Sequence, residues 1–135
     1  MLSQILLSAS AAIVLFAGTL HLHGTFYGTD LRPQDPELEA RMKEALPNIT
    51  GLTTMWNLWL GFNAILSLGL MFFGLLYGYL AIFRFAVLQE SPFLLAIGLV
   101  FLAGSIVFWK RYTFYLPVRV FLLSLAFYAA GMALA

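Results

Sequence analysis

Three stretches of this chain, Ser3–Tyr27, Leu52–Phe83 and Pro92–Trp109, carry no charged side chain, and a fourth, Leu116–Ala135, carries only Arg119. A helix of about 20 residues crosses the hydrocarbon core of a bilayer, so each stretch is a candidate span. Lipid cannot hydrogen-bond the backbone, which must therefore satisfy its own N–H and C=O groups as helix. The expected fold is all-α: a polytopic membrane protein with four transmembrane helices in an up-down bundle, forming a single domain over residues 1–135. With 62% hydrophobic and 10% charged residues there is no material for a separate soluble domain. The first apolar stretch, from Leu2 to Leu22, lacks a basic leader and an Ala-x-Ala-like cleavage site, so it is expected to be retained as span 1.

Local chemistry refines the boundaries. Pro92 and Pro117 stand where helices can start, because a missing N–H costs nothing in a first turn. Span 2 holds roughly 30 helical residues and reaches about 45 Å, enough to tilt or to project beyond the bilayer. Between spans 1 and 2, the segment Thr29 to Thr50 holds eight of the thirteen formally charged residues. Within it, Asp35-Pro36-Glu37-Leu38-Glu39 combines an N-cap, a proline at the first helical position and early acids that suit the helix dipole. A short helix to about Leu46 is expected. Leu38, Met42, Ala45 and Leu46 recur at helical spacing, which fits an interfacial helix, although a solvated connector would look similar. Arg32, Arg41 and Lys43 in loop 1 and Lys110 and Arg111 in loop 3 outnumber Arg84 in loop 2, which places loops 1 and 3 in the cytoplasm.

In lipid, helices associate through small residues and interhelical hydrogen bonds, so small and polar stripes are expected to face the bundle. In span 2, Thr53, Asn57, Gly61, Ala64, Ser67, Gly74 and Gly78 share one arc, with Asn63 at its margin. Trp59, Phe62, Leu66, Phe73 and Leu80 fall opposite, on the expected lipid side. Gly61, Ser67, Gly74 and Gly78 are the expected packing residues, and Gly74–Gly78 matches the GxxxG pattern. Ser3, Ser10, Ala17, His21, Gly24 and Gly28 form the stripe of span 1. Ser91, Gly98 and Ser105 serve span 3, and Pro117, Ser124, Tyr128 and Gly131 serve span 4.

The polar residues on these faces are the candidates for function. His21 points inward near the loop-1 end of span 1, and the antiparallel run of span 2 is expected to bring Thr53, Trp56 and Asn57 level with it. Asn63, about 15 Å further on and near the midplane, needs a partner on a helix or on a bound molecule. His21, Trp56, Asn57 and Asn63 are thus the candidate ligand-binding residues. His21 is either a proton-handling or ligand-contacting group or a histidine that simply bonds Asn57 or a carbonyl. Asn57 and Asn63 read equally as helix glue, Trp56, Trp59, Trp109, Tyr112 and Tyr115 as an aromatic belt, and Arg119 as a snorkelling cation or a phosphate partner.

Several classes of activity lack their groups. His23 diverges from His21 on a helix and no cysteine or intramembrane acid completes a ligand set, so no metal and no cofactor is expected. No carboxylate lies within a span, which removes the acidic relay of a proton-coupled transporter. A net charge of +1 gives no nucleic-acid footprint. No Ser-His-Asp order, P-loop or GxGxxG is present.

Four groups of residues resemble motifs of a family of small, uncharacterised four-span bacterial integral membrane proteins. They are His21-Leu22-His23-Gly24-Thr25-Phe26; Thr53-Thr54-Met55-Trp56; Gly61-Phe62-Asn63 with Ser67-Leu68-Gly69; and Arg111-Tyr112-Thr113-Phe114 with Pro117. The likeness covers most of the chain. It implies the four-span fold and a bacterial cell membrane, and it carries no activity. Arg32-Pro33, Glu37, Arg41 and Pro47-Asn48-Ile49 give a weaker likeness to the membrane-associated eicosanoid and glutathione metabolism family, from whose order and spacing of charges this chain departs. The expectation is a non-enzymatic bundle acting as a homo-oligomer or as an accessory subunit of a membrane complex. The alternative is a small-ligand or lipid-binding protein, or an enzyme, with a polar pocket on the loop-1 side.

Overall fold

A computed structural model describes all residues, 1–135. It contains helices and no strands: α1 (Leu2–Tyr27), α2 (Pro36–Glu44), α3 (Met55–Phe83), α4 (Phe85–Glu90), α5 (Pro92–Tyr112) and α6 (Tyr115–Ala133). Four of them, α1, α3, α5 and α6, are long and apolar enough to cross a membrane. The chain divides into two compact units, one of Met1–Ala17 with Leu70–Ala135 and one of Gly18–Gly69.

Helix ends follow local chemistry. The Asp35 side chain accepts from the Glu37 N–H with Pro36 at the first helical position, and the Ser91 hydroxyl accepts from the Leu94 N–H ahead of Pro92. Thr54 Oγ1 accepts from the Asn57 N–H and so caps α3. Pro117 stands at the third position of α6, still among the four residues whose N–H groups have no intrahelical acceptor. The short α4, in what the sequence presents as a loop, buries Leu88.

In the first unit the helices form a closed ring in which each is antiparallel to its neighbours. Ser3 Oγ donates to the Gly131 carbonyl at 2.7 Å, and Ser10 meets Ser124 further along, so α1 and α6 run in opposite directions. Gln4 reaches the Ala81 carbonyl and Ala11 lies against Gly74, which sets α1 antiparallel to α3. Tyr77 donates to the Leu94 carbonyl and Phe73 stacks on Phe101, closing α3 on α5. Tyr128 donates to the Leu95 carbonyl and Trp109 packs on Phe121, closing α5 on α6.

Small residues and hydroxyls make these approaches, as hydrocarbon surroundings demand. Ser124 Oγ donates to the Ser10 carbonyl at 3.1 Å, so its single proton is used and Ser10 Oγ–H must be the donor in the 2.8 Å hydroxyl pair. A Cβ on Gly74 would lie 2.7 Å from both the Ala11 carbonyl oxygen and the Leu15 nitrogen, so here the absence of a side chain sets how closely α1 and α3 approach. Gly98 likewise leaves the space that the Tyr128 hydroxyl and the Tyr77 ring occupy. The aromatic rings correct one expectation. Phe73 does not look outward but is buried, stacking on Tyr77 and Phe101 at 4.5 Å. The reason is that α3 has two neighbours, α1 on its Gly74 side and α5 on its Phe73 side, so its contact arc is wider than one small stripe.

Replacing Gly74 with alanine forces α1 and α3 apart and is expected to destabilise the bundle by about 1–3 kcal/mol. Gly104→Ala, where an added Cβ meets nothing within 4 Å, is expected to be neutral or stabilising by up to about 1 kcal/mol through helix propensity. Thermal unfolding of both variants in one detergent measures the difference.

Candidate functional site

The polar cluster of the second unit is built by the last turns of α1, the connecting segment and the first turns of α3. His21 Nε2 lies 3.0 Å from Asn63 Oδ1, and Asn63 Nδ2 donates to the Trp59 carbonyl at 2.7 Å. The second bond decides the first. Because the amide nitrogen is committed to a carbonyl, the oxygen faces the imidazole, so His21 Nε2 carries a proton and donates it. Thr25 is buried and donates to the His21 carbonyl, and Ser67, also buried, donates to the Asn63 carbonyl. Both hydroxyls thus hold their own helices one turn from the pair, and the His21–Asn63 bond links α1 to α3 in this unit.

This register differs from the expected one. His21 bonds Asn63 rather than Asn57, whose side chain is exposed. Six residues of helix rise about 9 Å, so with His21 opposite Asn63 it is Tyr27, at the end of α1, that comes level with Asn57. Spacing within each helix is faithful; what slides is one helix against the other, and the folding of residues 28–54 determines by how much. Trp56 is absorbed elsewhere, stacking on Trp59 at 5.1 Å under the Lys43 ammonium, which lies 5.2 Å from its ring centroid. His23 faces away, as an i, i+2 position must, and lies against Tyr27. Gly61 meets nothing within 4 Å and so packs against no helix here, in contrast to the expectation for it.

Loop 1 folds down by electrostatics and one backbone bond. The Met55 N–H donates to the Ala45 carbonyl at 2.9 Å, joining the end of α2 to the start of α3. On α2, Lys43 donates to Glu39 at 2.6 Å, Arg32 stands 3.9 Å from the same carboxylate, and Arg41 stands 3.9 Å from Asp35. The Lys43 hydrogen bond above all, with the charges of Lys43 and Arg32, holds the Glu39 carboxyl below its ordinary value against partial desolvation. Leu38 and Leu46 remain exposed on this segment, the pattern expected of a helix whose apolar face meets an interface.

Thr25 and Thr54 enter the sequence reading only as members of resemblance motifs, although each carries a local signal of its own. Thr25 lies one turn beyond His21 on the same face, and Thr54 directly precedes an apolar run as an N-cap should. No group of three or more His, Asp or Glu side chains converges as metal ligands would. Comparison with known protein families, with curated proteins and with solved structures finds no match.

Nitrogen-15 spectra of the selectively labelled histidines are expected to show His21 carrying a proton at Nε2. In a double-mutant cycle, His21→Leu and Asn63→Leu are expected to couple by about 0.5–2 kcal/mol, the range for interhelical hydrogen bonds in lipid. The depressed Glu39 value has a definite sign. Its contribution is fully present above the ordinary carboxylate range and is lost as pH falls through the lowered value. The protection factors of the α2 amides, taken against the intrinsic exchange rate at each pH, are therefore expected to fall on acidification, and Lys43→Ala to weaken that pH dependence.

Proposed function

We propose that this chain is a non-enzymatic membrane protein whose work is assembly, acting as a homo-oligomer or as an accessory subunit of a larger membrane complex. One observation carries the reading. Ile65, Leu68 and Gly69 of α3 are exposed and Gly61 is half-exposed on the same face, and a Cβ added at either glycine would meet no other part of the protein within 4 Å beyond its own helical turns. In lipid, a glycine gains most when another helix comes close, so this face suits a partner helix better than acyl chains. The polar groups nearby support the same reading, since His21, Thr25, Asn63 and Ser67 bond one another or their own helices, and no carboxylate lies within a span. The lipid bilayer is the other partner; nothing in the charge pattern calls for nucleic acid or a cofactor.

The balance of Lys and Arg supports a cytoplasmic position for loops 1 and 3 in a cell membrane. The likeness to four-span bacterial proteins supports a bacterial source. The alternative reading, a small-ligand or lipid-binding protein or enzyme with a pocket of His21, Trp56, Asn57 and Asn63, has the His21–Asn63 pair in its favour. Against it, Asn57 is exposed and Trp56 is engaged by Trp59 and Lys43.

Native mass spectrometry after extraction in mild detergent tests the assignment. Dimers, higher oligomers or a stoichiometric partner are expected, and Gly61→Leu with Gly69→Leu should release monomers whose helicity and melting are unchanged. A wild-type particle that is monomeric and partnerless in every mild detergent tried refutes it. Loss of a co-purifying small molecule on His21→Ala or Asn63→Ala would favour the alternative.

A further inference from the structure

A different corner of the molecule concentrates charge without neutralising it. After Glu90 the chain contains no acidic residue, yet it contains Lys110, Arg111 and Arg119, all close to the two-residue connection between α5 and α6. None of the three lies within 4 Å of a carboxylate, whereas Arg32, Arg41 and Lys43 in loop 1 all do. Cations at a membrane surface attract anionic lipid headgroups, and these three have no carboxylate of their own chain competing for them.

The same connection is hollowed. A cleft of ≈ 340 Å³ is lined by Lys110, Thr113, Phe114, Tyr115 and Val118. Its lining pairs the Lys110 ammonium with aromatic and aliphatic carbon, a mixture suited to a ligand that is ionic at one end and apolar at the other. The Thr113 hydroxyl donates its proton to the Trp109 carbonyl at 2.7 Å, and Trp109 itself holds the one buried side-chain donor without a partner, its indole N–H. Tyr112, Phe114, Tyr115 and Leu116 are exposed around the connection, as an aromatic collar at the level of lipid headgroups would be.

We infer that the cleft at the α5–α6 connection binds the phosphate of an anionic phospholipid, with Lys110 reaching it from the cleft wall, Arg111 and Arg119 adding positive charge from the adjoining helical turns, and Phe114, Tyr115 and Val118 meeting the glycerol and upper acyl carbons. Arg111 lies over the Tyr112 ring at 5.7 Å, which keeps its guanidinium at the collar rather than in the hydrocarbon. Free phosphate shares the ionic chemistry but cannot use the apolar wall, and this difference separates the two sources.

The test is lipid retention by native mass spectrometry, with purified protein equilibrated in mild detergent with equal amounts of phosphatidylglycerol and phosphatidylcholine. The wild type is expected to retain phosphatidylglycerol preferentially. Each cation near a membrane surface contributes about fivefold, so the triple variant Lys110→Gln, Arg111→Gln, Arg119→Gln is expected to lose the preference by roughly 100-fold. The charge-preserving triple Lys110→Arg, Arg111→Lys, Arg119→Lys should keep it, which separates loss of charge from loss of fold. Equal retention of the two lipids by the wild type, or an unchanged preference in the neutral triple, overturns the inference. Displacement of phosphatidylglycerol by an equal concentration of inorganic phosphate overturns the lipid assignment.

Discussion

Hydrocarbon accepts no hydrogen bond, and the organisation of this protein follows from that one property of its solvent. A backbone in lipid must bond to itself, so the apolar stretches are helices. Apolar side chains gain little by moving from lipid to a helix interface, so close approach and donated protons count where α1, α3, α5 and α6 meet, beside the packing of Phe73 on Phe101 and of Trp109 on Phe121. The Ser10–Ser124 exchange and the bare backbone at Gly74 are both answers to that demand. The tyrosines extend it: Tyr77 and Tyr128 each carry a ring that packs and a hydroxyl that finds a carbonyl in the first turns of α5. Each of those carbonyls has two lone pairs, so it can accept from a tyrosine without giving up its helical bond.

The four spans could be read from the chain because charge avoidance over about 20 residues is a local property. The cap at Asp35-Pro36 and the helix start at Pro92 were legible for the same reason. Two features were not local and were misplaced. Phe73 was assigned to the lipid because a single-helix projection knows only one inward direction, whereas α3 has two helical neighbours in its unit. Asn57 was paired with His21 because the register of two antiparallel helices depends on how the intervening residues fold, and no periodicity within either helix reports it. α4 lay below the length at which apolar spacing separates a helix from a loop, and only its buried Leu88 marks it as part of the core.

The His21–Asn63–Trp59 chain of bonds bears on how polar groups in spans are interpreted. A histidine and an asparagine facing one another inside a membrane protein invite a functional reading, and their residue types alone do not distinguish chemistry from cohesion. Their partners do. The amide spends its nitrogen on a backbone carbonyl and its oxygen on the imidazole, and the neighbouring hydroxyls turn back onto their own helices. The opposite condition holds at the α5–α6 connection, where three cations have no anion within the chain.

The length of α3 has a bearing on where such a protein settles. Its 29 residues extend about 44 Å, well beyond the ~30 Å of an average acyl region. Each ångström of mismatch costs a fraction of a kcal/mol, met by leaning the helix or by thickening the lipid around it. Longer acyl chains match more of that length, whereas a thinner acyl region requires a steeper lean or leaves more of α3 outside it, on the side where its first turn already meets loop 1.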